Sequence, residues 1–259
     1  MAAPSAPVAS RWFAPEEVDP QATLRLFLFP HAGSGVTIYK EWDALLPPSV
    51  AHQCVQLPGR QHRLAEPAYT DMAALLDALY EVILAELDDR PYAFFGHCMG
   101  AQLAYRLTAM IEHGGGPGPV LVGASGWAPE GFLTPTMEHS RLPEADLKQW
   151  IVDLGSLPAE VYENPELLAM VIPTLRADLA VCATAVDDGA RISCPVVSYS
   201  GRADPLMVSD AMPSWADRTT RYLGNSEFPG GHFYIDEHAQ AVTADLTRHL
   251  RRLVAPGAR

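Results

Sequence analysis

Short apolar runs alternate along this chain with longer stretches in which apolar residues recur every three or four positions. Thr23 to Phe29 (TLRLFLF) is too short for a helix and apolar enough for a buried strand. It stops at the small-residue loop Pro30-His31-Ala32-Gly33-Ser34-Gly35. A second strand is expected around Gln53 to Leu57, ending at Pro58-Gly59. From Thr70 the period changes: Met72, Leu75, Leu76, Leu79, Ile83 and Leu87 share one helical face, with Thr70 or Asp71 as its cap. Tyr92 to Phe95 reads as a strand that runs into Gly96-His97-Cys98-Met99-Gly100 and a helix to about Ile111. The stretch Gly114-Gly115-Gly116-Pro117 breaks that helix. Further strands are expected at Val120 to Gly123, at Pro195 to Ser200 and near Arg221 to Leu223. A last helix, from about Asp236 to Leu253, carries Ala239, Val242, Leu246, Leu250 and Leu253 at helical spacing.

Strands alternating with amphipathic helices imply an α/β fold with a mostly parallel sheet covered on both faces. The interval from Trp127 to about Asp188 breaks the rhythm, with two or three helices expected and no strand between them. It reads as a helical insertion over the strand ends, where such sheets place their sites. With 259 residues, 48% of them hydrophobic, one domain with one sizeable core is expected. The Ala- and Pro-rich residues 1–20 read as a loose tail.

Charge and cysteine usage narrow the function classes. Eighteen basic residues against 31 acidic ones give a formal charge of −13, which argues against a nucleic-acid partner. Cys54, Cys98, Cys182 and Cys194 are widely spaced, so no zinc site and no disulfide framework are suggested. No apolar run approaches the ~20 residues of a membrane span, and the first residues do not resemble a signal peptide. The expectation is a cytoplasmic protein with no membrane partner, no metal and no cofactor of its own.

Gly96-His97-Cys98-Met99-Gly100 has the spacing of the G-x-S-x-G nucleophile elbow, with Cys98 in the serine position. A strand turning sharply into a helix strains the central residue, and flanking side chains would collide with neighbouring elements. The turn also aims the helix N-terminus at the sulfur, a dipole that favours thiolate. Cys54, Cys182 and Cys194 read as core residues. A thiol nucleophile needs a base, and the base an orienting acid, in the chain order nucleophile, acid, histidine. Asp204, in the loop Gly201-Arg202-Ala203-Asp204-Pro205, and His232, in Pro229-Gly230-Gly231-His232-Phe233, occupy those places. His97 flanks the nucleophile but should point away from it. His113, His139, His238 and His249 lie on or beside helices and read as ordinary surface or core histidines. The oxyanion hole is assigned to the backbone N–H groups of Met99 and Ala32.

Together these residues resemble the type II thioesterases that accompany polyketide and nonribosomal peptide synthetases. The matching segments are Phe29-Pro30-His31-Ala32-Gly33, Leu57-Pro58-Gly59-Arg60, Gly96 to Gly100, Leu175-Arg176-Ala177-Asp178, Gly201 to Pro205, and Pro229 to Phe233. The resemblance implies an α/β-hydrolase fold whose insertion, about residues 127–188, is a lid over an acyl pocket. It implies hydrolysis of acyl thioesters from the phosphopantetheine arm of acyl or peptidyl carrier domains, which would be the partners; the arm belongs to the substrate. Arg60 and Arg63 would border the entrance and meet a phosphate or an acidic carrier, or else form surface salt bridges. The departure from the family is Cys98, where serine is usual. Thiol attack exchanges one thioester for another, so acyl or aminoacyl transfer between carriers is the alternative activity. Cys-Asp-His hydrolases of the dienelactone hydrolase type share the elbow but lack the Phe-Pro-His-Ala-Gly and Leu-Pro-Gly-Arg pairing. A carrier-binding protein without activity is opposed by the intact nucleophile, acid and base.

Overall fold

A computed structural model of the chain describes residues 11–155 and 163–254. Seven strands form one sheet in the order β1-β3-β2-β4-β5-β6-β7. They are β1 (Phe13–Ala14), β2 (Leu24–Phe29), β3 (Val50–Val55), β4 (Tyr92–His97), β5 (Val122–Ser125), β6 (Val196–Gly201) and β7 (Tyr222–Phe228). Only β1 runs antiparallel; every other pairing is parallel. The helices are α1 (Trp42–Leu45), α2 (Met72–Glu86), α3 (Met99–His113), α4 (Met137–Arg141), α5 (Glu144–Asp153), α6 (Pro165–Ala183), α7 (Trp215–Arg218), α8 (Tyr234–Glu237) and α9 (Ala239–Val254).

The central strands β2, β4, β5 and β6 are buried along their whole length because both faces are covered. In β2, Phe27 and Phe29 pack with the α2 and α3 side chains Leu79, Ile83, Leu103 and Leu107. Leu24, Leu26 and Leu28 point to the opposite face and pack with Trp42 of α1 and Val242 and Leu246 of α9. The two-residue period of a strand thus divides one sequence run between two cores. On α2, Asp71 caps the N-terminus by accepting from the Ala74 N–H at 2.9 Å, and Met72, Leu75, Leu76, Leu79 and Ile83 are buried as expected.

Between β5 and β6 lie α4, α5 and α6, with residues 156–162 outside the described part. These helices have a small core of their own, built from Leu147, Ile151, Leu168, Ile172, Leu175 and Leu179, and Ala32 packs against it. The insertion therefore rests on the loop that follows β2. Among the described residues no helix is long and apolar enough to cross a membrane.

Four expectations need correction. Of the expected N-terminal tail, residues 1–10 lie outside the described part, but Trp12 and Phe13 are buried and β1 pairs with β3. The Arg63 guanidinium lies 4.1 Å from the Trp12 ring centroid, which fixes this segment. The strand expected around Gln53 to Leu57 starts earlier, at Val50, because parallel pairing with β2 from Leu24 sets its register. The last helix is two helices, α8 and α9, divided at His238, whose Nε2 lies 3.0 Å from the Pro229 carbonyl oxygen. The expectation that Arg60 and Arg63 meet a phosphate or an acidic carrier does not fit their partners. Both are buried and already paired, Arg60 with buried Asp178 at 2.6 Å and Arg63 at 2.6 Å with Glu66, which is half-exposed, so only Arg63 keeps the salt-bridge alternative.

Candidate active site

The end of β4 turns into α3 at Cys98, which has φ 53° and ψ −118°. A side chain in that region is strained, and the neighbours over-determine it. The Cys98 N–H donates to the Ser125 carbonyl at 2.8 Å, and the Cys98 carbonyl accepts from Ala101 and Gln102 N–H groups. The flanking glycines are required by contact. A Cβ on Gly96 would lie 2.1 Å from the Gly100 carbonyl, and one on Gly100 would lie 2.1 Å from the Phe29 carbonyl oxygen. The elbow thus presses the start of α3 against the end of β2, which brings Met99 and the loop from His31 to Gly35 together. Met99 opens α3, where a helix leaves its N–H without an acceptor of its own. Among the described residues no backbone group accepts from the Ala32 N–H either.

His232 and Asp204 come from the loops after β7 and β6. His232 Nδ1 lies 2.7 Å from Asp204 Oδ2, and the other carboxylate oxygen accepts from the Leu206 N–H at 2.9 Å. The acid is therefore held on both oxygens, and it fixes which imidazole nitrogen is left to face Cys98. His232 Nε2 is buried and has no hydrogen bond of normal geometry among the described residues. Cys98 is near enough to act on its charge. Burial disfavours the charged imidazole, yet Cys98 and Asp204 together outweigh it and raise the pKa from 6.5 to about 10. Catalytic hydrogen bonds of this kind often tighten only once substrate is bound.

Around Cys98, His232 and Asp204 lies a set of residues that sequence patterns do not assign. His97 is fully buried with its ring 5.0 Å from that of His232, and its Nδ1 lies 2.8 Å from Ser125 Oγ. Ser125 Oγ in turn lies 2.6 Å from the Tyr234 hydroxyl. Burial, and then the charge on His232, hold His97 well below the usual histidine range. Burial likewise lowers His31 to about 4. Two neutral imidazoles thus back one charged imidazole. The expected direction of His97, away from the nucleophile, leaves out its contacts: its ring packs against that of His232, and its partner Ser125 also accepts the Cys98 N–H through its carbonyl. Polar residues at the ends of β4 and β5 are the only sequence signal for the His97–Ser125 pair.

A groove of about 780 Å³ opens beside the site, lined by Ala32, Ile38, Leu64, Ile151, Leu175 and Ile235 among others. It reaches the site at Ala32 rather than at Cys98 or His232. Among the described residues no cluster of His, Cys, Asp and Glu could hold a metal ion.

The arrangement has relatives. The thioesterase domain family matches this chain over residues 24–250. The gramicidin S biosynthesis protein GrsT of Aneurinibacillus migulanus is 29% identical over 95% of this chain and 96% of its own. A probable cadicidin biosynthesis thioesterase of Streptomyces griseus is 34% identical over 93% of this chain and 66% of its own. Among solved structures, the type II thioesterase BorB from the borrelidin biosynthetic cluster superposes with a TM-score of 0.83 at 30% identity, covering 93% of this chain and 98% of BorB. The parallel sheet, the helices on its two faces and the match over residues 24–250 place this chain in the thioesterase domain family, as a member of α/β-hydrolase architecture.

Proposed function

We propose that the protein hydrolyses acyl thioesters carried on the phosphopantetheine arm of acyl or peptidyl carrier domains of polyketide or nonribosomal peptide synthetases. The observation that carries the reading is His232, tied to Asp204 through Nδ1 at 2.7 Å while Nε2 is left without a partner beside Cys98. That is the disposition a nucleophile, base and orienting acid require.

The Cys98 thiolate attacks the thioester carbonyl, forming a carbon–sulfur bond, and the carbonyl electron pair moves onto oxygen. The N–H groups of Ala32 and Met99 are the donors for that oxyanion. Collapse breaks the bond to the pantetheine sulfur, which leaves with the proton from His232 Nε2. Acylation removes Cys98 as a group that raises the imidazole pKa. Burial, the largest influence on His232, then favours the neutral base. Neutral His232 takes a proton from water, hydroxide adds to the acyl carbon, and collapse expels the Cys98 thiolate. The balance is thioester plus water giving acid plus thiol. In this reading α4, α5 and α6 form the lid over the acyl pocket.

Cys98 itself favours a second outcome. Thiol–thioester exchange is nearly balanced, so the acyl group could pass to another carrier instead of water. The test supplies an acylated carrier domain with and without an excess of unloaded carrier. Free acid should accumulate over many turnovers, with only a minority of acyl groups diverted to the second carrier. Asp204→Asn should lower turnover by up to ~10⁴-fold, the loss in the serine triad, and by less if the ion pair forms without it. Near-complete discharge onto carrier would replace hydrolysis with transfer.

A further inference from the structure

Asp178 lies on α6 of the insertion, 145 positions from Gly33 in sequence, yet its carboxylate accepts the Gly33 N–H at 2.8 Å. It is 2% exposed. Arg60 grips the same carboxylate with two hydrogen bonds, 2.6 and 2.7 Å, and uses Nη1 to hold the Ser34 carbonyl at 2.8 Å. One residue along from Gly33 is Ala32, the candidate oxyanion donor. Gly33 has φ +77°, and a Cβ there would stand 3.1 Å from Leu175 of the same helix. Four residues before Asp178, Thr174 donates to the Gly59 carbonyl at 3.0 Å. The turn after β2 is therefore clamped by α6 on one side and by Arg60 on the other.

We propose that Asp178, with Arg60 as its counter-charge, is the positioning residue of the oxyanion loop. It fixes the Gly33 N–H and so aims the preceding Ala32 N–H at the substrate carbonyl. This rests on the reading of Cys98 as the nucleophile and Ala32 as an oxyanion donor. Its consequence is that the insertion completes the oxyanion hole and does not only cover it. A donor displaced by about 1 Å can cost on the order of 10²-fold in rate. Removing one partner alone would strand a buried charge, whereas replacing both with apolar side chains is commonly neutral or stabilising. The double variant Arg60→Met/Asp178→Leu is thus the folded test, with Asp178→Asn beside it.

Two reactions of the same thiol separate positioning from general damage. Alkylation of Cys98 by iodoacetamide needs the thiolate but no oxyanion hole, whereas acylation by an acyl-pantetheine thioester needs both. We expect the double variant to melt like the parent and to alkylate within about 2-fold of its rate. Its single-turnover acylation should fall on the order of 10²-fold with KM little changed. Asp178→Asn should fall in the same direction by a smaller factor. Equal loss in both reactions, or unchanged acylation in the folded double variant, would overturn the role of Asp178. If the parent protein alkylates at Cys98 but is not acylated there, the functional reading fails instead.

Discussion

Cys98 differs from the other three cysteines in what surrounds it. Burial pushes the Cys54 thiol up to about 12 and holds Cys182 and Cys194 well above the usual thiol range. Cys98 alone among the four acts on His232, whose pKa is raised to about 10. Only the thiolate is an effective nucleophile, so iodoacetamide near neutral pH should label Cys98 first. His232→Ala should slow that labelling at least about tenfold, read by peptide mass spectrometry. Comparable labelling of Cys54 in the folded protein would contradict this reading of Cys98. The three residues of this site are legible in the sequence because each sits in a short local pattern. Cys98 is framed by glycines, Asp204 precedes a proline, and His232 follows two glycines. Asp178 and Arg60 are 118 positions apart, and no local pattern announces their pairing. Their motifs are visible as a resemblance, but the ion pair depends on how the insertion folds back.

At the scale of elements, the elbow is the joint that ties β2, β4 and α3 into one frame. Gly100→Ala would drive a Cβ to 2.1 Å from the Phe29 carbonyl oxygen, backbone against backbone, with no flexible side chain to yield. The expected loss exceeds ~3 kcal/mol, the upper end of ordinary overpacking. Gly115 has φ +74°, but a Cβ added there would meet nothing within 4 Å, so Gly115→Ala should cost only ~1–2 kcal/mol. Denaturant midpoints of the two variants check the contrast. The central strands and α2, α3, α5 and α6 are legible from periodicity, since each buries a regular face. The strand β1 is not, because a two-residue strand carries no period and its Ala/Pro-rich context suggests a tail. The break between α8 and α9 is hidden for another reason: Tyr234, Ile235, Ala239 and Val242 are all buried, so the apolar pattern runs on through His238.

For the whole molecule, buried histidines set the dependence of stability on pH. His31 titrates at about 4 in the folded protein against 6.5 ordinarily, so the unfolded chain takes up its proton first on acidification. Stability should fall from pH 6.5 toward pH 4, by ~3 kcal/mol from His31 alone at ~1.4 kcal/mol per unit, with His97 acting in the same direction. His232 acts the other way. Its folded pKa of about 10 lies above 6.5, so its stabilisation is present below pH 6.5 and lost as pH rises toward 10. The thiol of Cys54, about 12 folded against 9 ordinarily, adds to the alkaline loss. Urea unfolding as a function of pH should therefore give maximal stability near pH 6.5. His232→Ala should flatten the alkaline limb more than the acid limb.

The central claim is that Cys98 carries the acyl group between carrier and water. Mixing the protein with a stoichiometric acylated carrier domain, quenching in acid and mapping peptides by mass spectrometry tests it most directly. The predicted result is a transient acyl adduct on the peptide containing Cys98, appearing before free acid and decaying as free acid accumulates. His232→Ala should slow its formation and its decay, and Cys98→Ala should show neither adduct nor acid. Release of free acid by Cys98→Ala at the parent rate, or an adduct on another residue, would contradict the account.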